Sequence, residues 1–269
     1  MGLRIATNIA SQSVQKNLKE VSNAGNSSLE KLSSGKRITK AADDAAGLAI
    51  STNLEAQTKG LRQATRNAND GISLVQTAEG GLSETSNILV RLRELTIQAA
   101  SDTVGEQERG FLDKEYQQLA KEVDRISEAT TFNGSQLLNG KGKGSMDFQV
   151  GAFAGEQNKI TFDSSSTDSS TSSIGISGTS ISDKGDALDA ISNVDSAIER
   201  VSGQRADLGS IQSRLQSTVK NLETQTINQD SARSVIQDVD VAEASATLAS
   251  NNVVKNAAVS TLSQANQIP

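Results

Sequence analysis

Asp43 and Asp44 stand side by side in the stretch "AADDAAGLAI", and adjacent carboxylates are residues that acid–base or metal chemistry can use. Such chemistry needs partners that tune a proton or complete a ligand set. The chain has no His and no Cys, so an imidazole base, a thiolate nucleophile and a conventional zinc site are all excluded. Carboxylate catalysis alone stays formally open. Both aspartates precede a long segment that reads as helix from about Ala45. There, carboxylates accept from orphan N–H groups and meet the positive end of the helix dipole. The pattern predicts a helix cap and not a catalyst, and no catalytic, metal-binding or cofactor-binding residue is assigned.

The composition points away from an ordinary compact enzyme. Aromatics make up 2% of the 269 residues, Trp is absent and the single Pro is the last residue. Aromatic side chains supply much of the buried area of a usual core, so smaller residues must fill this one. A chain rich in Ala, Leu, Ile, Val, Ser, Gln and Asn, without internal Pro, suits long helices packed closely side by side. A formal net charge of −6 and a pI near 4.9 argue against nucleic acid as a partner. The opening "MGLRIATNIASQS" lacks the apolar core of a secretory signal, and Ala6 stands where the myristoylation pattern needs Ser or Thr. No apolar run is long enough to span a bilayer, so direct membrane insertion is not expected.

The helices that must carry any function announce themselves by spacing. Alternate steps of four and three run from Ile50 through Leu54, Gln57, Leu61, Ala64, Ala68, Gly71, Val75, Ala78, Leu82, Thr85, Leu89, Leu92 and Thr96 to Ala99. That is a sustained heptad seam, on a helix roughly 75 Å long at 1.5 Å per residue. Leu112, Tyr116, Leu119, Val123 and Ile126 mark a shorter helix. Ala187, Ile191, Val194, Ile198, Val201, Arg205, Leu208, Gln212, Leu215, Val219 and Leu222 mark another long one. The expected fold is mainly α: an elongated antiparallel helical bundle of coiled-coil type, with paired N- and C-terminal helices and a small β-hairpin.

Both chain ends read as helices with weak apolar faces. Val14, Leu18, Val21 and Leu32 carry the first; Val235, Val239, Ala242, Ala246, Ala249 and Val253 carry the last. So few large side chains bury too little surface to offset the entropy of ordering. The ends are therefore expected to be frayed in the isolated chain and to order against other copies. Between the halves, "SMDFQV" and "NKITFD" alternate with period two, placing Met146, Phe148 and Val150 opposite Ile160 and Phe162 in a hairpin near 145–163. The following Ser/Thr/Gly run at 164–183 reads as too polar for a core, a surface excursion or insertion point. Its hydroxyls could carry O-linked sugars, with an unmodified flexible loop the equal alternative.

By this point the sequence resembles bacterial flagellin along nearly its whole length. "LEKLSSGKRITKAADDAAGLAIS", "ATRNANDGISLVQTAEGGLSE" and "LRELTIQAA" are similar to the family's N-terminal half, and "DRISEATTFNGSQLLNG" to the segment before its hairpin. "ALDAISNVDSAIERVSGQRADLGSIQSRL" and "SQANQIP" are similar to its C-terminal half. Members commonly continue past "QANQIP" with several apolar residues, which do not follow Pro269 here. The resemblance implies an inner domain of terminal helices (1–42 with 230–269, with a spoke around 33–46 flanked by Gly35 and Gly47). It implies an outer bundle with hairpin (43–163 with 184–229), and the polar run at 164–183 in place of larger variable domains.

The same resemblance implies function: a structural subunit that self-assembles into the flagellar filament and transmits motor torque, extracellular and exported without a cleavable signal peptide. Its implied partners are other copies of itself, the flagellar export apparatus, an export chaperone, the filament cap and hook-associated proteins. The terminal residues Val14, Leu18, Val21, Leu32, Val235, Val239 and Val253 become candidates for forming the polymer. The spoke is expected to let the two domains adopt different relative positions in neighbouring subunits. Arg91, Leu95, Gln98 and Glu115 match the contact that a Toll-like receptor of innate immunity makes with flagellins, although by spacing alone they read as surface charge and seam. A hook–filament junction protein of the same structural class is the alternative, as is a non-polymerising coiled-coil binding module or adhesin. A metalloprotease insertion would need an HExxH motif, which a chain without His cannot supply.

Overall fold

The computed structural model describes residues 8–266. The readings made on "MGLRIA" and on the last three residues of "SQANQIP" fall outside that range. Among the described residues six α-helices and two small antiparallel strand pairs follow in the order α1 (Ile9–Ser34), α2 (Ala45–Ala100), α3 (Glu106–Ala129), β1 (Thr131–Phe132), β2 (Ser135–Gln136), β3 (Ser145–Gln149), β4 (Lys159–Asp163), α4 (Thr171–Ile174), α5 (Lys184–Gln237) and α6 (Val241–Asn266), with a 3-10 turn at Glu156–Asn158 between β3 and β4. They form two compact units: Lys59–Thr226, and Met1–Thr58 with Ile227–Pro269. The division passes through α2 and α5 and not at the ends of helices.

In the Lys59–Thr226 unit, the heptad seam of α2 is buried at every expected position from Leu61 to Ala99. It packs against the seam of α5 (Ala187, Val194, Val201, Leu208, Leu215) and against Tyr116, Val123 and Ile126 of α3. Ion pairs Arg93–Asp195 and Arg205–Glu79 cross between α2 and α5 in antiparallel register. Small residues let these backbones approach closely, as the composition requires. The C-terminus of α2 is capped by Arg109, nearly buried, whose guanidinium donates to the carbonyls of Ala99 (2.8 Å) and Ser101 (3.0 Å). A cation there meets the negative end of the helix dipole.

The hairpin forms as the alternation predicts: β3 and β4 pair with Met146 opposite Phe162 and Phe148 opposite Ile160. Phe162, Ile160 and Val150 enter the core, while Met146 and Phe148 lie half-buried against it. The strand pair β1–β2 has no counterpart in the sequence reading. Its turn is Asn133–Gly134, both at positive φ (47° and 76°), and an Asn-Gly dipeptide between short strands is the signal for such a turn.

The polar run after β4 is not the surface excursion that its composition suggests. Ile174, Ile176 and Ile181 are buried in the core, and Ser164, Thr167 and Ser169 are buried beside them. The backbone is held down by carboxylates of α3. Asp124 accepts from the N–H and hydroxyl of Thr171 (2.8 and 2.9 Å), and Asp113 accepts from the N–H of Ile181 (2.9 Å) and the hydroxyl of Ser180 (3.1 Å). Gln204 of α5 adds a bond to the Asp168 carbonyl, 2.9 Å. Counting polar residues misreads the segment, because three isoleucines at suitable spacing anchor it and the hydroxyls find partners.

Candidate assembly interface

In the other unit, α1 and α6 lie antiparallel. Asn8 donates to the Ala265 carbonyl at one end, 3.0 Å, and Gly25 faces Asn251 near the middle. The inward seam of α1 is Ser11, Val14, Leu18, Val21, Gly25, Ser28 and Leu32, all buried or half-buried at heptad spacing. Val14, Leu18, Val21 and Leu32 thus sit where the periodicity puts them. The seam of α6 is Ala244, Leu248, Asn251, Ala258, Leu262 and Ala265. This corrects the sequence reading. Val253 lies on the opposite face and is 69% exposed, and Val235 is 82% exposed near the end of α5, before the last helix begins. Val239, half-buried, belongs to the break between α5 and α6. The cause is that α6 is apolar on more than one side, so two heptad registers compete and periodicity alone cannot choose between them.

The pair has almost no core. Its fully buried members are Ser11 on α1 and Ala265 on α6. Between the helices an open groove is lined by Val14, Val21, Val254, Ala257 and Ala258. Around the outside stand Ile9, Leu29, Val241, Val253 and Val259, all exposed. A soluble helix normally turns such residues inward, so the pair leaves much of its apolar surface uncovered.

The connection between α1 and α2 is braced. α1 ends at Gly35, whose φ of 69° is the left-handed C-cap conformation that favours glycine. Lys36 then pairs with Asp238 in an isolated antiparallel bridge, with Arg37 N–H donating to the Gln237 carbonyl (2.7 Å) and Val239 N–H to the Gly35 carbonyl (3.1 Å). Ile38 is buried at 2% exposure. The two aspartates divide their work. Asp44 caps α2 as expected, accepting from the Gly47 N–H at 2.8 Å. Asp43 does not cap α2; its carboxylate turns back to accept from the N–H groups of Thr39 and Lys40 and from the Thr39 hydroxyl, each at 3.0 Å. Those bonds, the Thr39 N–H foremost, hold its pKa below the ordinary carboxylate value. Gly47 is the third residue of α2 and is itself buried; a Cβ there would lie 2.7 Å from the Ile38 Cδ1 and 2.3 Å from an Asp44 carboxylate oxygen. Only glycine leaves room for both. The first turns of α2 meet the end of α5 through polar groups: Gln229 donates to the Gln57 side chain, 3.1 Å. Ser51 and Thr58 are buried there while Ile50 is 52% exposed, so the seam starts at Leu61 and not at Ile50.

The remaining candidate residues belong to the Lys59–Thr226 unit. Arg91 bridges two carboxylates, Glu115 at 2.8 Å and Glu94 at 2.9 Å, and the Glu115 hydrogen bond chiefly raises its pKa. Gln98 is exposed nearby. Leu95 is not part of that surface: it is 1% exposed, packed in the core. Its heptad neighbours Leu92 and Ala99 show why, since the seam runs under the Arg91 face. Among the described residues no group of three His, Cys, Asp or Glu could hold a metal ion, and no helix is long and apolar enough to cross a membrane.

The chain is thus a mainly helical protein of two units, one holding the α2–α5 bundle with its hairpin and the other a nearly coreless pair of terminal helices. Residues 5–143 match the family described as the bacterial flagellin N-terminal helical region, and residues 191–269 match the bacterial flagellin C-terminal helical region. The flagellin of Halalkalibacterium halodurans is 42% identical, over 97% of this chain and 95% of its own length. The Bacillus subtilis flagellin is 38% identical over 99% and 97%, and a flagellar filament 31.3 kDa core protein of Treponema maltophilum 37% over 88% and 87%. The crystal structure of Bacillus cereus flagellin is similar with a TM-score of 0.53 and 31% identity, covering 62% of this chain and 94% of that one. The chain belongs to the bacterial flagellin family.

Proposed function

We propose that the unburied apolar faces of α1 and α6 are what polymerises this flagellin, a structural subunit of the bacterial flagellar filament. The observation that carries the reading is the contrast within one chain. The α2 seam is buried at every position from Leu61 to Ala99, whereas the terminal pair leaves Val241, Val253, Val254 and Val259 in solvent. Each of these half- to two-thirds-exposed valines that a neighbouring copy covers contributes about 1 kcal/mol. Repeated at every subunit, such contacts that do not close on themselves generate an open filament. In this reading the terminal unit is the inner domain of the filament, and the Lys59–Thr226 unit with its hairpin is the outer one. Torque transmission then follows from the stiffness of the resulting polymer.

The test is seeded polymerisation of purified subunit. Val253→Asp is expected to leave the monomer's helicity and unfolding midpoint nearly unchanged, because the side chain is 69% exposed in the monomer, while little protein pellets with the seeds. Equal pelleting by variant and wild type would remove α6's outer face from the interface.

Export through the flagellum's own apparatus, with a chaperone shielding the same apolar faces before assembly, accords with this surface. A filament cap and hook-associated proteins would meet equivalent faces at the polymer's ends. A junction protein of the same structural class would also expose them, but would cap seeds instead of elongating them. A host Toll-like receptor reading the Arg91 stretch would meet Arg91, Gln98 and Glu115 and not the buried Leu95. Equal receptor binding by Arg91→Ala and wild-type monomer would dismiss that contact.

A further inference from the structure

Phe153 stands 61% exposed at the tip of the loop joining β3 to β4, in a chain with five phenylalanines and no tryptophan. The other hairpin aromatics, Phe148 and Phe162, both pack on the core, so the exposure of Phe153 is specific to the tip. The tip itself, Ala152–Phe153–Ala154, carries no charge.

The loop is held in shape with the ring outside. The Gln149 side-chain amide donates to the carbonyls of Gly151 (3.0 Å) and Phe153 (2.8 Å). Val150 N–H donates to the Asn158 carbonyl (2.7 Å), closing the base of the loop, and Asn158 N–H donates to the Gly155 carbonyl (3.0 Å). Gly155 makes the reversal at a φ of 134°. At the far side Lys159 pairs with Glu156 (3.2 Å) and Asp147 (3.5 Å), fixing the exit of the loop. Ala152, one residue before the ring, rests on α2 at Gly60. A floppy loop would lose conformational freedom on docking; this one has already lost it, so an aromatic on it binds at little further entropic cost. Large aromatics in such settings are the residues that dominate protein interfaces.

We propose that Phe153 is an anchor for a second copy of this chain: in the filament its ring inserts into an apolar site on a neighbouring subunit. This inference rests on the filament reading above, which supplies the occupant, since a filament subunit meets other copies of itself. It adds to the terminal-helix contact a second contact made by the Lys59–Thr226 unit. An uncharged tip calls for an apolar receiving surface, and exposed apolar side chains do occur on that same unit, at Val90, Ile97, Phe111 and Leu188.

The absence of native Trp gives a direct test. Phe153→Trp places a single indole at the tip, and its fluorescence is read in the monomer and in seeded filaments, with pelleting of the wild type measured in parallel. The expected result is an exposed, readily quenched indole in the monomer that shifts to the blue and becomes several-fold less accessible to acrylamide on polymerisation. Filaments that pellet normally with the indole still fully quenched would overturn the anchor while leaving the filament reading intact. Protection that appears only when a different flagellar protein is added would also overturn it. Failure of the wild type to pellet with seeds would instead count against the filament reading itself, and the anchor would fall with it. As a second measurement, Phe153→Ala should raise the critical concentration for elongation about tenfold or more, on the scale of an aromatic interface residue, with the monomer's unfolding midpoint unchanged. A critical concentration equal to the wild type's would contradict the proposal.

Discussion

Tyr116 shows how a single polar atom ties this bundle together. Its ring is fully buried, and its hydroxyl lies 2.7 Å from the Thr179 Oγ1. Thr179 gives its own proton to the Ile176 carbonyl, 2.7 Å, so Tyr116 is the donor in the shared bond. Burial raises its pKa above the ordinary value near 10. The sign of the consequence follows. A group whose neutral form is favoured by folding contributes stability in full below its unfolded pKa, and loses it as pH rises through the higher folded value. With one Tyr and no Trp in the chain, absorbance of the phenolate reports this residue alone. Its midpoint is expected above 10 and together with loss of helical signal; a midpoint at or below 10 in the still-folded protein would show the ring to be open to solvent. At this scale the sequence was legible in part. The cap at Asp44 follows from its place before a helix. The backward turn of the Asp43 carboxylate and the capping guanidinium of Arg109 depend on where the chain goes next, which no local pattern encodes.

The elements of the Lys59–Thr226 unit were readable wherever one face is clearly apolar. The α2 seam from Leu61 to Ala99 and the period-two hairpin follow directly from spacing, because a single register satisfies each. Two kinds of element escaped. In α6, valines and alanines on several sides allow competing registers, and the helix turns Leu248 and Leu262 inward while Val253 faces out. In the segment after β4, the composition of serines and threonines hides a packed path anchored by isoleucine. That path makes a prediction. Ile176→Ala should lower unfolding stability by about 2–5 kcal/mol, the usual cost of a buried Ile truncation, whereas exposed Ser177→Ala should change it by less than about 0.5 kcal/mol. Urea unfolding of the two variants decides it. Equal midpoints would mean that the segment is a loose excursion after all.

At the scale of the whole molecule, one chain combines a unit that completes its own core with a unit that does not. The Lys59–Thr226 unit packs α2, α3 and α5 around one buried core. The terminal helices, by contrast, share a thin seam of Ser, Gly, Ala and a few Leu and Val, and display their remaining valines outward. Under the proposed assembly this division has a physical reason: apolar surface left out of the monomer's own packing is available to the polymer. Hydrogen–deuterium exchange of the backbone amides of α1 and α6, measured in monomer and in filament, tests it most directly. The account predicts that these amides exchange within seconds in the monomer, far faster than those between Leu61 and Ala99 of α2, and become strongly protected in the filament. Terminal helices as protected in the lone subunit as the α2 seam would contradict it.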